Sequence, residues 1–132
     1  MKHESLDTNV LLRLMLDDVP AQTNRADKLL STSFVRFFIS DLALFEFVYV
    51  LDHHYKLSRQ TISEMVQGLL SIKKLDCNRE LITSALVSFN KHFALSFADC
   101  YLAASATFMN ATPLWTFDKA LAKQIPDVQL LQ

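Results

Sequence analysis

Four carboxylates in this sequence of 132 residues have surroundings suited to chemistry: Asp7, Glu46, Asp99 and Asp118. Glu46 is the only charge in the apolar run 42–51, and a carboxylate buried in such a run is costly unless it is paired or bound to a cation. Asp7 and Asp118 each stand where a strand-like run gives way to a helical one. If the four acids converge, a divalent cation would offset their repulsion, and oxygen ligands suit Mg²⁺ or Mn²⁺. Ions held in this way support the hydrolysis of phosphoesters.

Simpler interpretations of the same acids stay open. Glu46 could mark a narrow stripe of solvent-exposed positions on an otherwise apolar helix. Asp99 fits the third position of a capping box that Ser96 opens. Asp7 and Asp118 stand where helix N-caps are expected. Spacing alone does not establish that the four side chains meet.

The composition excludes several other ways of handling phosphate. The chain has one glycine, Gly68, so it contains neither a glycine-rich phosphate loop nor a dinucleotide fingerprint. A net charge of −1 does not favour a grip on nucleic acid by bulk electrostatics. Two distant cysteines, Cys77 and Cys100, give no disulfide framework, and no apolar run is long enough to span a bilayer. We therefore expect a protein of the reducing cytosol, without a membrane segment.

The elements that must position the acids follow from apolar periodicity. Strands are predicted to end at residue 6 and to cover 35–39, a short stretch at 75, 113–117 and 128–131. Helices are predicted over 10–16, 20–30, 42–54 with Asp41 as its cap, after caps at Ser58, Asn78 and Ser96, and after Asp118. Strands separated by helices predict an α/β fold, with a parallel five-stranded sheet covered by helices on both faces. We interpret residues 1–132 as a single domain, with sites beyond the carboxyl ends of the strands.

Four segments carry a resemblance to a known family. They are Leu-Asp-Thr-Asn-Val-Leu-Leu-Arg-Leu at 6–14, Phe-Glu-Phe-Val-Tyr-Val-Leu at 45–51, Phe-Ala-Asp-Cys-Tyr-Leu-Ala-Ala at 97–104 and Thr-Phe-Asp-Lys-Ala-Leu at 116–121. In this order and at these intervals they resemble the PIN-domain ribonucleases, specifically the VapC-type toxins of type II toxin–antitoxin systems. The resemblance covers essentially the whole chain. It implies a PIN-like three-layer sandwich and a cytoplasmic endoribonuclease that depends on Mg²⁺ or Mn²⁺.

The resemblance also implies which residues do the chemistry. Asp7, Glu46, Asp99 and Asp118 match the family's acidic positions. Asp7 and Asp99 are implied as direct metal ligands, and Asp118 as a ligand to the same or a second ion. Glu46 is implied to act through water. The small polar residues that usually support the pocket are matched by Asn9 and Thr116.

The implied partners are an RNA substrate, a second copy in a homodimer, and a VapB-like antitoxin whose tail covers the acidic groove. Cations that could contact RNA, or simply be solvated, are Arg13, Lys56, Arg59 and Lys119. Two features depart from the family pattern. The first strand, 2–5, is more polar than usual and could form an edge, and Ser96 stands where an acid is often found, which would lower the charge of the pocket.

An alternative function is a catalytically inactive module of the same fold that binds protein or RNA. It predicts no divalent-ion site and no effect of substituting the acids. A phosphatase of the haloacid dehalogenase type is disfavoured, because Asn9 stands where its second aspartate is needed.

Overall fold

Five short strands and seven helices alternate along the chain in a computed structural model that describes residues 1–132. The strands are β1 (Lys2–Ser5), β2 (Val35–Phe38), β3 (Leu75–Asp76), β4 (Leu114–Thr116) and β5 (Val128–Leu130). The helices are α1 (Thr8–Met15), α2 (Pro20–Leu30), α3 (Asp41–His53), α4 (Arg59–Leu70), α5 (Arg79–Lys91), α6 (Phe97–Phe108) and α7 (Lys119–Gln124). The predicted α/β class is confirmed. No helix has both the length and the apolar character that a membrane crossing requires.

The strands pair in two parallel sheets, so the predicted single sheet of five strands is wrong. One sheet has the order β1-β2-β3, and the other consists of β4 and β5. β1 is polar along its length and has only β2 as a hydrogen-bonded neighbour, which agrees with the edge position that its polarity suggested. β3, β4 and β5 have two or three residues each, and such short strands offer few ladder hydrogen bonds to a further neighbour. The three-layer arrangement with helices on both faces stays a prediction.

The chain forms two compact units, each with most of its residue contacts inside itself. The first unit is Met1–Asn78 and the second is Arg79–Gln132. The first contains the three-stranded sheet with α1 to α4, and the second contains the two-stranded sheet with α5 to α7. The single domain over 1–132 stays a prediction.

In the first unit the sheet alternates between buried and solvated side chains, as a half-covered sheet should. Val35 and Phe37 of β2 are buried, whereas Arg36 between them is only half-buried. Arg36 binds Asp76 at the end of β3 through two nitrogens, with Nε–Oδ2 2.9 Å and Nη2–Oδ1 2.6 Å. These hydrogen bonds raise the pKa of Arg36 above its ordinary value. The pair therefore joins the two-residue β3 to β2 by side chains as well as by the backbone.

Three helices of the first unit, α1, α3 and α4, begin at polar caps, whereas α2 follows Val19 without a side-chain cap. One predicted cap is wrong. Ser40, and not Asp41, caps α3, because the Ser40 Oγ accepts the Ala43 amide at 3.1 Å. Asp41 is instead the first helical residue, where its charge suits the helix dipole. The predicted cap of α4 is confirmed, since the Ser58 Oγ accepts the Thr61 amide at 3.2 Å.

In the second unit α5 and α6 pack against each other through aromatic and small side chains. Phe89 and Phe97 meet edge to face, with ring centroids 5.7 Å apart, an arrangement that aromatic quadrupoles favour. The predicted capping box at the start of α6 is confirmed. The helix α7 ends at Gln124, two residues before Pro126, as a proline requires.

Candidate active site

Asp7 lies at the carboxyl end of β1, where the chain turns into α1. The ladder to β2 continues to Leu6, whose amide donates to the Phe38 carbonyl at 3.0 Å. Asp7 then adopts an extended backbone and caps α1, with its Oδ1 accepting the Thr8 amide at 2.8 Å. Because Asp7 is the cap, α1 begins at Thr8, two residues earlier than predicted. The Asp7 side chain is exposed and keeps its second oxygen, Oδ2, for another ligand.

Glu46 lies on α3 and is exposed, so the expectation that it is buried is wrong. The buried face of α3 is formed by Ala43, Leu44, Phe47, Val48 and Leu51. Glu46 belongs to the opposite face, together with exposed Leu42, Tyr49 and His53. The rings of Tyr49 and His53 are stacked, with centroids 4.0 Å apart. The apolar run does not imply burial on all sides, because exposed apolar side chains are common on protein surfaces.

A hydrogen bond from Thr8 connects the two acids of the first unit. The Thr8 Oγ1 donates to Glu46 Oε2 at 3.1 Å and lies 3.4 Å from the Ala43 carbonyl oxygen. Thr8 is only 6% exposed, so this hydroxyl needs such an acceptor. The residue next to Asp7 thus touches Glu46, 38 positions along the chain. The spacing of the acids does not point to Thr8, although a polar residue on the buried side of a helix start is a usable signal.

Asp99 lies in the first turn of α6 in the second unit. Its amide donates to the Ser96 Oγ at 3.1 Å, and its Oδ2 accepts the Ser96 amide at 3.2 Å. This reciprocal pair satisfies two backbone amides, those of Ser96 and Asp99, that the helix start would otherwise leave unpaired. Asp99 is half-buried, and its Oδ1 is left for another ligand. The capping interpretation of Asp99 is therefore correct, and it leaves room for a second function.

Asp118 follows β4 and caps α7. Its Oδ1 accepts the Leu121 amide at 3.1 Å, while its own amide donates to the Thr116 Oγ1 at 3.0 Å. The Thr116 carbonyl accepts the Leu131 amide at 2.7 Å, which ties this turn to the strand end beyond β5. Asp118 is exposed and keeps its Oδ2. Thr116 thus positions Asp118 through the backbone.

The four acids are divided equally between the two units, with Asp7 and Glu46 in the first and Asp99 and Asp118 in the second. No group of three or more His, Cys, Asp or Glu residues is placed to hold a metal ion. The donor set itself fits a hard divalent cation. Each of the four carboxylates has one oxygen in a hydrogen bond from the protein and one oxygen left over, and a carboxylate can accept several bonds at once. That the four converge on one ion stays a prediction.

Asn9 and Asn78 are two further polar residues of the first unit. Asn9 is exposed on α1 and helps to line a groove of about 310 Å³ between α1 and α2. Asn78, which follows β3, donates from Nδ2 to the Asp41 carboxylate at 3.1 Å. The ends of β2 and β3 therefore carry their own polar pair, which nothing in the spacing of the sequence indicated.

The cations predicted as RNA contacts differ in their availability. Arg13 is engaged within the protein: its Nη1 lies 2.7 Å from Asp18 Oδ1 and its Nη2 lies 3.2 Å from the Tyr55 hydroxyl. Its side chain is only 12% exposed, so Arg13 serves mainly to join α1 to neighbouring loops. Lys119, directly after Asp118, is exposed and takes part in none of the ion pairs of the structure.

Comparison with known proteins identifies the family but not a relative. The PIN domain family matches residues 5–125, a range that includes all four acids and both units. No curated protein is similar enough to the chain to count as a match. PIN domains are generally nucleases and typically use divalent metals. Because the match covers most of the chain, the protein belongs to the PIN domain family.

Proposed function

We propose that the chain is a metal-dependent endoribonuclease that acts in the cytosol as the toxin of a VapC-type toxin–antitoxin pair. The observation that carries the proposal is the hydrogen bond from Thr8 to Glu46, which brings the residue beside Asp7 into contact with a second acid. Exposed carboxylates held rigidly at a strand end and on a neighbouring helix are what a nuclease of this family needs. Family membership supports the same activity class.

The ligands of the proposed metal site are carboxylates that the helix starts already hold. Asp7 and Asp99 would bind Mg²⁺ or Mn²⁺ directly, Asp118 would bind the same or a second ion, and Glu46 would act through water. When bound, such an ion supplies a more acidic water and stabilises the negative charge of the phosphoryl group. Capping keeps each aspartate in a fixed rotamer, so little side-chain entropy is lost on binding.

The overall reaction is hydrolysis of an RNA phosphodiester. A water oxygen forms a bond to phosphorus, the bond from phosphorus to the leaving sugar oxygen breaks, and that oxygen takes up a proton. The chain's own contribution is to orient the acids. Thr8 orients Glu46, Ser96 orients Asp99 and Thr116 orients Asp118.

The proposed partners are a second copy of the chain and a VapB-like antitoxin whose tail covers the acids. Exposed apolar side chains support a partner-binding surface, because the face of α3 that carries Glu46 also exposes Leu42 and Tyr49. Apolar groups beside an acid suit a partner that combines apolar and basic side chains.

The proposal is tested by incubating the purified chain with RNA in Mg²⁺, in Mn²⁺ and in EDTA, and by expressing it in growing cells. We expect cleavage only with a divalent ion, and growth arrest on expression. Asp7→Asn and Asp99→Asn should each lower the cleavage rate on the order of 100-fold or more, since each removes a charged metal ligand. Asp27→Asn, which changes an exposed carboxylate of α2, is the matched control and should cleave normally.

A contrary outcome would favour the non-enzymatic alternative. If no RNA is cleaved in any ion, or if Asp7→Asn and Asp99→Asn cleave as fast as the Asp27→Asn control, the chain is not a nuclease of the proposed kind. The inactive PIN-fold module that binds protein or RNA would then be the better description.

A further inference from the structure

Two large aromatic side chains are exposed beside one of the proposed catalytic acids. Trp115, in the middle of β4, is 57% exposed, and Phe117, directly after β4, is 77% exposed. Asp118 is the next residue. Here we call Trp115 and Phe117 the aromatic platform.

The backbone explains why the platform is presented to solvent. In β4 the neighbours of Trp115, Leu114 and Thr116, are half-buried while Trp115 is exposed, as the alternation of a strand requires. Trp115 pairs across the sheet with Gln129 of β5, which is also exposed. Bonds from the Asp118 and Leu131 amides to Thr116 then fix the turn that carries Phe117. The rings are therefore attached to a backbone that hydrogen bonds hold in place.

The chemistry around the platform suits an unpaired nucleotide. Exposed aromatic rings on a sheet are a recurrent means of stacking the bases of single-stranded RNA. Lys119 follows Asp118 and is exposed and free of the structure's ion pairs, so it can take a phosphate. Gln129, beside Trp115, offers both a donor and an acceptor for a base edge. With a net charge of −1, the chain lacks the bulk positive charge that otherwise provides affinity for RNA.

We infer that the aromatic platform stacks one or two unpaired bases of the RNA substrate next to Asp118, with a backbone phosphate at Lys119. The inference rests on the proposed nuclease function and assigns to Trp115 and Phe117 the positioning of the unpaired nucleotide beside Asp118. Trp115 and Phe117 are positioning residues, since they hold the base and take no part in breaking the bond. A protein partner could also cover the exposed rings, but binding a protein does not explain why they lie beside Asp118.

The experiment uses Trp115 as its own reporter, because it is the chain's single tryptophan. Short unpaired RNA is titrated into the full chain in EDTA, where no cleavage interferes, while tryptophan fluorescence is recorded. We expect saturable quenching by the unpaired strand, and much weaker quenching by the same strand annealed to its complement. Stacking does not need a metal ion, so the effect should persist in EDTA.

Substitutions then test whether RNA binding depends on the aromatic platform or on any exposed apolar side chain. Phe117→Ala keeps the fluorophore and should weaken binding of the unpaired strand roughly 5- to 100-fold, the range expected for one lost stacking contact. Phe117→Tyr should restore binding. The matched control is Phe34→Ala, which removes an equally exposed ring (80%) at the amino end of β2 and should bind as the unchanged chain does. In Mg²⁺, Phe117→Ala should raise KM for unpaired RNA more than it lowers kcat.

The outcomes distinguish failure of the platform from failure of the proposed function. If unpaired RNA does not quench Trp115, or if Phe117→Ala binds it as tightly as Phe34→Ala does, the platform is refuted even where RNA is cleaved. A fluorescence change that depends on protein concentration and not on RNA would also refute it, and would assign the rings to contact with a second copy. Quenching by unpaired RNA in a chain that cleaves nothing would refute the nuclease and uphold the RNA contact.

Discussion

The second unit holds both of its acids by local hydrogen bonds, whereas the first unit holds one acid locally and one from a distance. Asp7 of the first unit accepts the amide of the adjacent Thr8. In the second unit, Asp99 and Asp118 are fixed by hydrogen bonds to residues no more than three positions away. In the first unit, Glu46 is held by Thr8, 38 positions away in the sequence. The local bonds of Asp99 and Asp118 form whenever their helix starts form. The bond between Thr8 and Glu46 needs α1 and α3 to be packed together, so it depends on the tertiary structure of the whole first unit.

Further long-range bonds connect distant segments of the first unit. The Tyr55 hydroxyl donates to Asp18 Oδ2 at 2.7 Å and accepts from Arg13 of α1. Arg36 joins β2 to β3 through Asp76. Because these bonds connect segments distant in sequence, their loss should loosen the position of Glu46, whereas local caps in the second unit should be insensitive to such changes.

The largest expected effects come from replacing one acid in each unit by its amide. Asp118→Asn retains a capping oxygen, since Asn and Asp are about equally good N-caps, so the free energy of unfolding should change by less than about 0.5 kcal/mol. Cleavage should nevertheless fall on the order of 100-fold, because a charged ligand is lost. Glu46→Gln can still accept the bond from Thr8 and should lower cleavage by about 10-fold, as expected for a group that acts through water. Cleavage assays and urea denaturation measure the two quantities.

These two variants also decide between the interpretations of Glu46. If Glu46→Gln cleaves RNA at the normal rate while Asp118→Asn does not, Glu46 is only part of a solvated stripe, and the chemistry does not need it. If both variants cleave normally, the proposed acid site is wrong in both units.

A smaller effect is expected from breaking the contact that holds Glu46. Thr8→Val keeps the buried shape and removes the hydroxyl, so stability should fall by about 1 kcal/mol, the usual net value of such a bond. Cleavage should fall several-fold, because Glu46 is no longer oriented. Thr8→Ser, which retains the hydroxyl, is the control and should keep most of the activity. A Thr8→Val protein with normal kcat and KM would mean that the orientation of Glu46 does not matter.

The difference between the units also explains how much could be predicted from the sequence. Capping depends on residues within one helical turn, so Ser58, Ser96 and Asp118 were recognised as caps from their neighbours alone. The α/β class and the order of elements follow from local apolar periodicity. At α3 the sequence predicted Asp41 as the cap, but the backbone is extended at Ser40, which is the cap instead.

What the sequence could not provide are relations between distant segments. The apolar run around Glu46 predicted burial on all sides, yet one face of α3 is solvated, because the side chains that cover a helix come from elsewhere in the chain. The pairing of strands is likewise a long-range property. Local pattern predicted five strands correctly, but it did not predict that β1 to β3 and β4 to β5 form separate sheets.

The smallest predicted effect concerns two turns with left-handed backbones, one in each unit. Neither turn contains the chain's single glycine. Lys56, after α3, and Asn110, after α6, both have left-handed backbones, with φ of 53° and 51°. Lysine pays a steric cost there, whereas asparagine tolerates this conformation. Lys56→Gly should therefore stabilise the fold by about 1 kcal/mol, and Asn110→Gly should change it by less than about 0.5 kcal/mol. Urea denaturation of both variants measures the difference. If Lys56→Gly is the less stable of the two, contacts of the Lys56 side chain outweigh its backbone strain, and Lys56→Asn should then be destabilising as well.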